Sequence, residues 1–83
     1  MVRFISHALR RLTQREITQE NITYALANPV ETIQAKRNRI AIYSQINDRY
    51  LLVIFEKLNN EELVITAIWS DRRRLRRFGF TRI

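Results

Sequence analysis

The fold is decided by residues 50–69, which read YLLVIFEKLNNEELVITAIW. This stretch holds two apolar runs, residues 51–55 and 63–69, and the pair Asn59-Asn60 between them is typical of a turn. Strands that read as almost continuous apolar runs are usually covered on both faces. We therefore expect two central strands, with the helices of the protein packed on one face of their sheet.

Two further strands are predicted upstream of this stretch, because the apolar pattern changes from a helical period to alternation after Val30. The alternation places Ile40, Ile42 and Ile46 on one face of a strand and Ala41, Tyr43 and Gln45 on the other. Asn47-Asp48 is typical of the turn that follows. The four predicted strands span about residues 31–36, 40–46, 50–57 and 63–70.

Residues 6–28 predict two short helices joined by a tight turn. Ser6 is a candidate N-cap for a helix over residues 7–15, and Thr18 is a candidate N-cap for a second helix over residues 19–28. The second helix has the stronger signals, because Ile17 and Ile22 are spaced as a hydrophobic staple and Asn28-Pro29 stops the helix.

The order α-α-β-β-β-β predicts an α+β fold in which two N-terminal helices pack on a four-stranded antiparallel sheet. At 83 residues the chain forms one domain, residues 1–83, and its 46% hydrophobic content is ordinary for a globular protein. The net charge of +7 is not ordinary, and thirteen of the fifteen basic side chains are arginines. Because guanidinium groups bind phosphate with two parallel hydrogen bonds, this charge predicts a polyanionic partner.

Several classes of protein are disfavoured by the same composition. The chain has no cysteine, which excludes disulfides and cysteine-rich zinc sites. No apolar run approaches the roughly 20 residues that span a bilayer, so we expect a cytoplasmic protein without membrane contact. The acidic residues are scattered without the spacing of a metal site, so no metal or cofactor is expected. They are Glu16, Glu20, Glu31, Asp48, Glu56, Glu61, Glu62 and Asp71.

The C-terminal segment, residues 71–83, holds six of the thirteen arginines. It is either a basic tail or a short helix that becomes ordered on a partner. Its arginines are flanked by Trp69, Phe78 and Phe80, and this mixture of cations and aromatic rings is typical of binding to single-stranded RNA. The predicted RNA-binding residues are Arg72, Arg73, Arg74, Arg76, Arg77 and Tyr43. The alternatives are a solvated tail or an acidic protein partner for the arginines, and a cross-strand pair with Tyr50 for Tyr43.

One line of side chains on the first helix is suited to RNA cleavage. His7, Arg11 and Arg15 are four residues apart and share one side of the helix. Histidine can move a proton near neutral pH while guanidinium groups stabilise charge on a phosphate attacked by the 2′-hydroxyl of RNA. The alternative is that His7 caps the helix or pairs with a neighbour. Thr66 interrupts the last apolar run, and its hydroxyl either bonds to backbone or orients the phosphate or His7.

These residues resemble a bacterial and phage domain family that is catalogued only as a domain of unknown function. The resemblance covers roughly residues 4–69. Its motif reads Ser6-His7-Ala8-x-x-Arg11-x-x-x-Arg15-x-Ile17-Thr18-x-Glu20-x-Ile22, then Leu26-x-Asn28-Pro29, and Ile65-Thr66-Ala67 in the last strand. The family is similar to the RelE and BrnT toxins and, more widely, to the barnase, EndoU, colicin and RelE group of ribonucleases.

The resemblance implies a RelE-like domain and a toxin of a toxin–antitoxin pair that cleaves RNA without a metal ion. The matching polar residues, which the resemblance implies are catalytic, are His7, Arg11, Arg15 and Thr66. Two features depart from the family pattern: Glu16 stands where members often have glycine, and the arginine-rich end is not part of the pattern.

We therefore expect an endoribonuclease of the mRNA interferase type, with RNA, including ribosome-bound mRNA, as substrate and a cognate antitoxin as partner. His7 would be the general acid or base, and Arg11 and Arg15 would hold the phosphate. Two alternatives stay open, a module that binds nucleic acid without cutting it and a protein-interaction component. The sequence also leaves open whether the protein forms a homo-oligomer.

Overall fold

The computed structural model describes residues 2–83 as a mixed α+β fold of one sheet and three helices. The elements in chain order are β1 (Val2–Phe4), α1 (Ser6–Gln14), α2 (Gln19–Ala27), β2 (Glu31–Gln34), β3 (Ile40–Ile46), β4 (Arg49–Leu58), β5 (Glu61–Ser70) and α3 (Arg72–Phe78). In the part of the chain described, no helix is long and apolar enough to cross a membrane.

The sheet has five strands in the order β1-β5-β4-β3-β2, so the prediction of four antiparallel strands is wrong in one respect. Strands β2 to β5 are antiparallel neighbours as predicted. The additional strand, β1, pairs in parallel with residues 62–64 of β5. Because β1 has only three residues, it is too short to show the alternation that identifies a strand from sequence.

The two predicted helices begin differently. Thr18 caps α2 as predicted, and its side chain accepts a hydrogen bond from the backbone N–H of Asn21 at 3.0 Å. The Asn21 side chain in turn accepts from the Thr18 backbone N–H, which completes a capping box. The prediction that Ser6 caps the first helix is wrong. Ser6 is the first residue of α1, and Ile5 occupies the N-cap position without a side-chain hydrogen bond.

The sheet is covered on both faces, as the apolar runs predict. On one face α1 and α2 cover a core that includes Ile42 and Val53. On the other face Leu75 of α3 and Phe80 pack against Leu52 and its neighbours. The C-terminal segment therefore forms a helix that packs on its own sheet.

A tight turn joins α1 to α2 through a left-handed residue. Glu16 has a φ of 57°, and the backbone N–H of Ile17 donates to the Leu12 carbonyl at 2.9 Å. The N–H of Glu16 donates to the Thr13 carbonyl at 3.2 Å, which completes a Schellman motif. Glycine is the usual residue at this position because it has no Cβ. The turn therefore forms with glutamate, although the backbone conformation favours glycine.

Candidate nucleic-acid interface

The α1 stripe, which we define as His7, Arg11 and Arg15, runs obliquely from solvent toward the sheet. A helix turns by 3.6 residues, so side chains spaced by four drift gradually around its axis. His7 and Arg11 are exposed, whereas Arg15 is half-buried beside the face that carries the buried residues Ala8 and Leu12. The stripe therefore ends at the boundary between α1 and the sheet.

Arg15 is fixed to the open edge of β5. Its Nη1 donates to the Thr66 hydroxyl at 3.1 Å and to the Ala67 carbonyl at 2.7 Å. Strand β1 covers only residues 62–64 of this edge, so Ala67 has no strand beside it on that side within residues 2–83. The partner of the Thr66 hydroxyl is thus an arginine of the α1 stripe and not the backbone. The structure brings together Arg15 and Thr66, two of the four residues predicted to be catalytic.

His7 has no hydrogen bond or ion pair among the described residues, and its side chain is exposed in the first turn of α1. It does not cap the helix, because the N-cap residue is Ile5. The alternative of a capping or pairing histidine therefore has no support in the structure. The imidazole is free to meet a ligand from solvent.

The α3 arginine surface consists of five exposed arginines, Arg72, Arg73, Arg74, Arg76 and Arg77. Asp71 caps the helix by accepting a hydrogen bond from the Arg74 backbone N–H at 2.8 Å. At 100° per residue, Arg73 projects opposite to the buried Leu75 and so points away from the sheet, whereas Arg77 lines the space between α3 and the turn that joins β2 to β3. Arg72 lies nearer the sheet and donates from Nε to the Tyr50 hydroxyl at 3.2 Å. That hydrogen bond raises the pKa of Arg72 above its ordinary value.

Glu31 of β2 holds the chain that follows α3. Its carboxylate accepts hydrogen bonds from the backbone N–H groups of Arg82, at 2.6 Å, and of Thr81, at 2.9 Å. The Thr81 hydroxyl donates to the same carboxylate at 3.0 Å. The hydrogen bond from the Arg82 backbone is the main reason that the pKa of Glu31 lies below its usual range. We call these hydrogen bonds to the carboxylate the Glu31 clamp. The Glu31 clamp and the burial of Leu75 together fix α3 to the sheet.

Three aromatic residues predicted to contact RNA are packed against other side chains of the protein. Tyr43 is 2% exposed, its hydroxyl donates to the Arg82 carbonyl, and its ring packs edge-to-face on Tyr50 at 5.9 Å. Burial leaves no face of the Tyr43 ring for a base, so the geometry supports the alternative of a cross-strand pair. Phe80 is buried as well. Trp69 packs on the α1 side of the sheet, where the Arg49 guanidinium lies 3.9 Å from its ring centroid.

A basic cleft that the sequence analysis missed lies between α3 and the β2–β3 turn, residues 35–39. The cleft has a volume of about 680 Å³ and lies on the α3 side of the sheet. Residues that line it include Lys36, Arg37, Arg39, Ile54, Arg77 and Phe78. The run Lys36-Arg37-Asn38-Arg39 was a visible signal for this site, but nothing in the sequence connects it to residues 77–78.

The turn itself has a defined conformation. Arg37 and Asn38 both have positive φ, 61° and 59°, and the Arg39 backbone N–H donates to the Lys36 carbonyl at 3.2 Å. This is the pattern of a type I′ hairpin turn, which matches the twist of the flanking strands. Arg39 also pairs with Glu56 through an Nε to Oε1 distance of 3.4 Å. Arg37, Lys36 and Arg77 have no acidic partner in the described chain.

The two basic regions lie on opposite faces of the sheet. The α1 stripe belongs to the face covered by α1 and α2, whereas the α3 arginine surface and the basic cleft belong to the other face. A single RNA strand could contact both only by passing around an edge of the sheet. Within residues 2–83, no group of three histidine, aspartate or glutamate side chains is arranged to hold a metal ion.

Comparison with known protein families gives a match over most of the chain. The family model described as domain of unknown function DUF4258 matches residues 4–69. No curated protein and no solved structure matches the chain. The match ends before α3, so the matched range contains the α1 stripe and Thr66 but not the α3 arginine surface.

Proposed function

This chain belongs to the DUF4258 family of domains of unknown function, and we propose that it binds RNA through the α3 arginine surface. The observation that supports this proposal is the anchoring of α3, because buried Leu75 and the Glu31 clamp hold the helix in one place. Five arginines are therefore displayed on a fixed helix and not on a mobile tail, so binding to phosphate costs less conformational entropy.

The charges of this surface have little intramolecular compensation. In the structure of residues 2–83, no α3 arginine forms an ion pair with a carboxylate. Asp71 is the nearest acidic residue in sequence, and its carboxylate is engaged in capping the helix. A polyanion would supply the missing counter-charges, and each phosphate neutralised by arginine releases condensed counterions from the nucleic acid.

The proposal is tested by measuring RNA affinity at several salt concentrations for the parent protein and for a variant with Arg73→Gln and Arg76→Gln. We expect tight binding at low salt that weakens steeply as salt rises. For single-stranded RNA, the slope of log K against log salt should fall by about 0.7 for each phosphate that the variant no longer neutralises.

A matched control carries Arg10→Gln and Lys57→Gln, two exposed cations on α1 and β4 whose replacement removes the same total charge. Equal weakening by both pairs of substitutions would mean that net charge, and not α3, determines binding. That result would refute the proposed site.

Cleavage of RNA at the α1 stripe is the second candidate function, and the contact between Arg15 and Thr66 favours it. This contact holds one guanidinium at a fixed place along the line that begins at the exposed His7 imidazole. In the proposed reaction the 2′-oxygen attacks the neighbouring phosphorus and the bond to the next 5′-oxygen breaks. The products carry a 2′,3′-cyclic phosphate and a 5′-hydroxyl.

Each residue of the site has a role in this proposal. His7 takes the proton from the 2′-hydroxyl or gives one to the leaving 5′-oxygen. Arg11 and Arg15 stabilise the negative charge that accumulates on the phosphate oxygens. Thr66 positions the Arg15 guanidinium and has no separate role in proton transfer. RNA is proposed in preference to DNA because this chemistry requires the 2′-hydroxyl.

Incubation of the purified protein with RNA and a chelator tests the second candidate. We expect fragments that end in cyclic phosphate, and His7→Ala should lower the cleavage rate by roughly 10²- to 10⁴-fold while most binding is retained. Thr13→Ala, a change at an exposed residue about 120° around α1 from His7, is the control. RNA that is bound but stays intact would refute the cleavage candidate, and only the binding function would remain.

The cleavage candidate supports a wider proposal, that the protein is a RelE-like toxin of a toxin–antitoxin pair. An acidic antitoxin segment would complement a chain with a net charge of +7. Growth arrest on expression, relieved by a neighbouring gene and abolished by His7→Ala, is the expected result. Arrest that persists with His7→Ala would refute the role of His7.

A further inference from the structure

We infer that the basic cleft between α3 and the β2–β3 turn binds single-stranded nucleic acid, with one unstacked base placed on the ring of Phe78. The inference rests on the proposed RNA-binding function and adds the form of nucleic acid and the place where it is selected. Such a strand presents an aromatic base with phosphates on either side of it. The cleft offers the matching groups, an aromatic ring and several cations.

Phe78 is the aromatic residue that the cleft offers to a ligand. The residue is 37% exposed, and it follows directly on the arginines of α3. The ring of Phe80 lies behind it, with centroids 5.7 Å apart and planes 19° from parallel. Phe80 is itself buried against Tyr43, so Phe78 rests on the core of the protein. A base could therefore stack on a supported ring at a small cost in side-chain freedom.

Cations stand on both sides of this ring. Arg77 precedes Phe78 on α3, and Lys36 and Arg37 come from the β2–β3 turn across the cleft. None of the three has an acidic partner within the residues described, in contrast to Arg39, which pairs with Glu56. Phosphates on either side of a stacked base would meet these cations from two separate elements.

The size of the cleft also fits a nucleotide. Small-molecule sites usually enclose roughly 300–1,000 Å³, and the cleft has about 680 Å³. A base within a duplex is already stacked and paired, so its faces cannot reach Phe78. The exposed arginines of α3 can contact the backbone of single or double strands. The cleft therefore supplies a preference for single strands that the α3 arginine surface does not supply.

The experiment measures the affinity of the full chain for a fluorescein-labelled oligouridylate and for an RNA duplex of the same length. We expect Phe78→Ala to weaken binding of the single strand by about 5- to 150-fold, the change that corresponds to one stacked base. Binding of the duplex should stay within about twofold of the parent. Phe78→Leu keeps the apolar contact with Phe80 but removes the π-face, so it should behave like Phe78→Ala.

Tyr24→Ala is the matched control, because Tyr24 is an exposed aromatic residue on α2 at the other face of the sheet. If both Phe78 variants bind the single strand as tightly as Tyr24→Ala does, the cleft inference is wrong. If the proposed function is correct, the variant with Arg73→Gln and Arg76→Gln would in that case still bind both the single strand and the duplex more weakly than the parent. A parent protein that binds neither RNA at low salt would refute both proposals.

Discussion

Replacement of Glu16 with glycine is expected to stabilise the protein, because Glu16 occupies a left-handed position at the end of α1. Its φ is 57°, and the Schellman hydrogen bonds from Glu16 and Ile17 keep it there. This conformation costs an L-residue roughly 1–2 kcal/mol relative to glycine. Glycine also makes the unfolded chain more flexible, which offsets roughly 0.4–1 kcal/mol. The net gain in the free energy of unfolding should be about 0.5–1 kcal/mol.

Thermal and urea denaturation followed by circular dichroism measure this gain. For a domain of this size the melting temperature should rise by roughly 2–8 °C. Glu20→Gly is the control, since it removes the same charge from the first turn of α2, where the backbone is helical. That control should lower stability by about 1 kcal/mol. An unchanged or lower melting temperature for Glu16→Gly would show that strain at this turn does not limit stability.

Two more substitutions test the attachment of α3 to the sheet. Gly79→Ala should destabilise the protein by roughly 1–3 kcal/mol in urea denaturation, because Gly79 has a φ of 127°, which L-residues rarely adopt. Unchanged stability would contradict this backbone strain. Glu31→Gln should be less stable than the parent at neutral pH, and the difference should shrink as the pH falls below the ordinary value of 4.5 and through the lowered pKa of Glu31. A difference that is the same at every pH would show that the charge of Glu31 is not what holds Thr81 and Arg82.

Local sequence signals were sufficient to predict those elements in which the stabilising contacts join residues close together in the chain. Thr18 caps α2 because its hydroxyl reaches a backbone N–H three residues away, and no distant part of the chain is involved. The faces of β3 were also predictable, because alternation sends Ile42 and Tyr43 into different cores whatever the neighbouring strands are. Ser6 misled the prediction because it precedes an apolar period as a cap does, yet the helix already includes it.

The candidate site was only partly predictable. Helical spacing was enough to align His7, Arg11 and Arg15, but the contact of Arg15 with Thr66 joins residues 51 positions apart. Tyr43 was predicted to contact RNA because a tyrosine can stack on a base or donate to a phosphate, with a cross-strand pair as the alternative. The tail that covers it, including Phe80, could not be placed from sequence, since a run of arginines carries no apolar period.

The sequence alone determined the α+β class, the second helix and the antiparallel strands β2 to β5, because each depends on residues close together in the chain. It also determined the strong positive charge, which follows from composition. The tertiary structure alone decided that β1 joins the sheet, that α3 packs on the second face and that residues 35–39 meet Phe78. These three outcomes depend on which distant surfaces bury each other. A three-residue strand and a helix with one buried leucine gain their stability from such contacts and not from local preference.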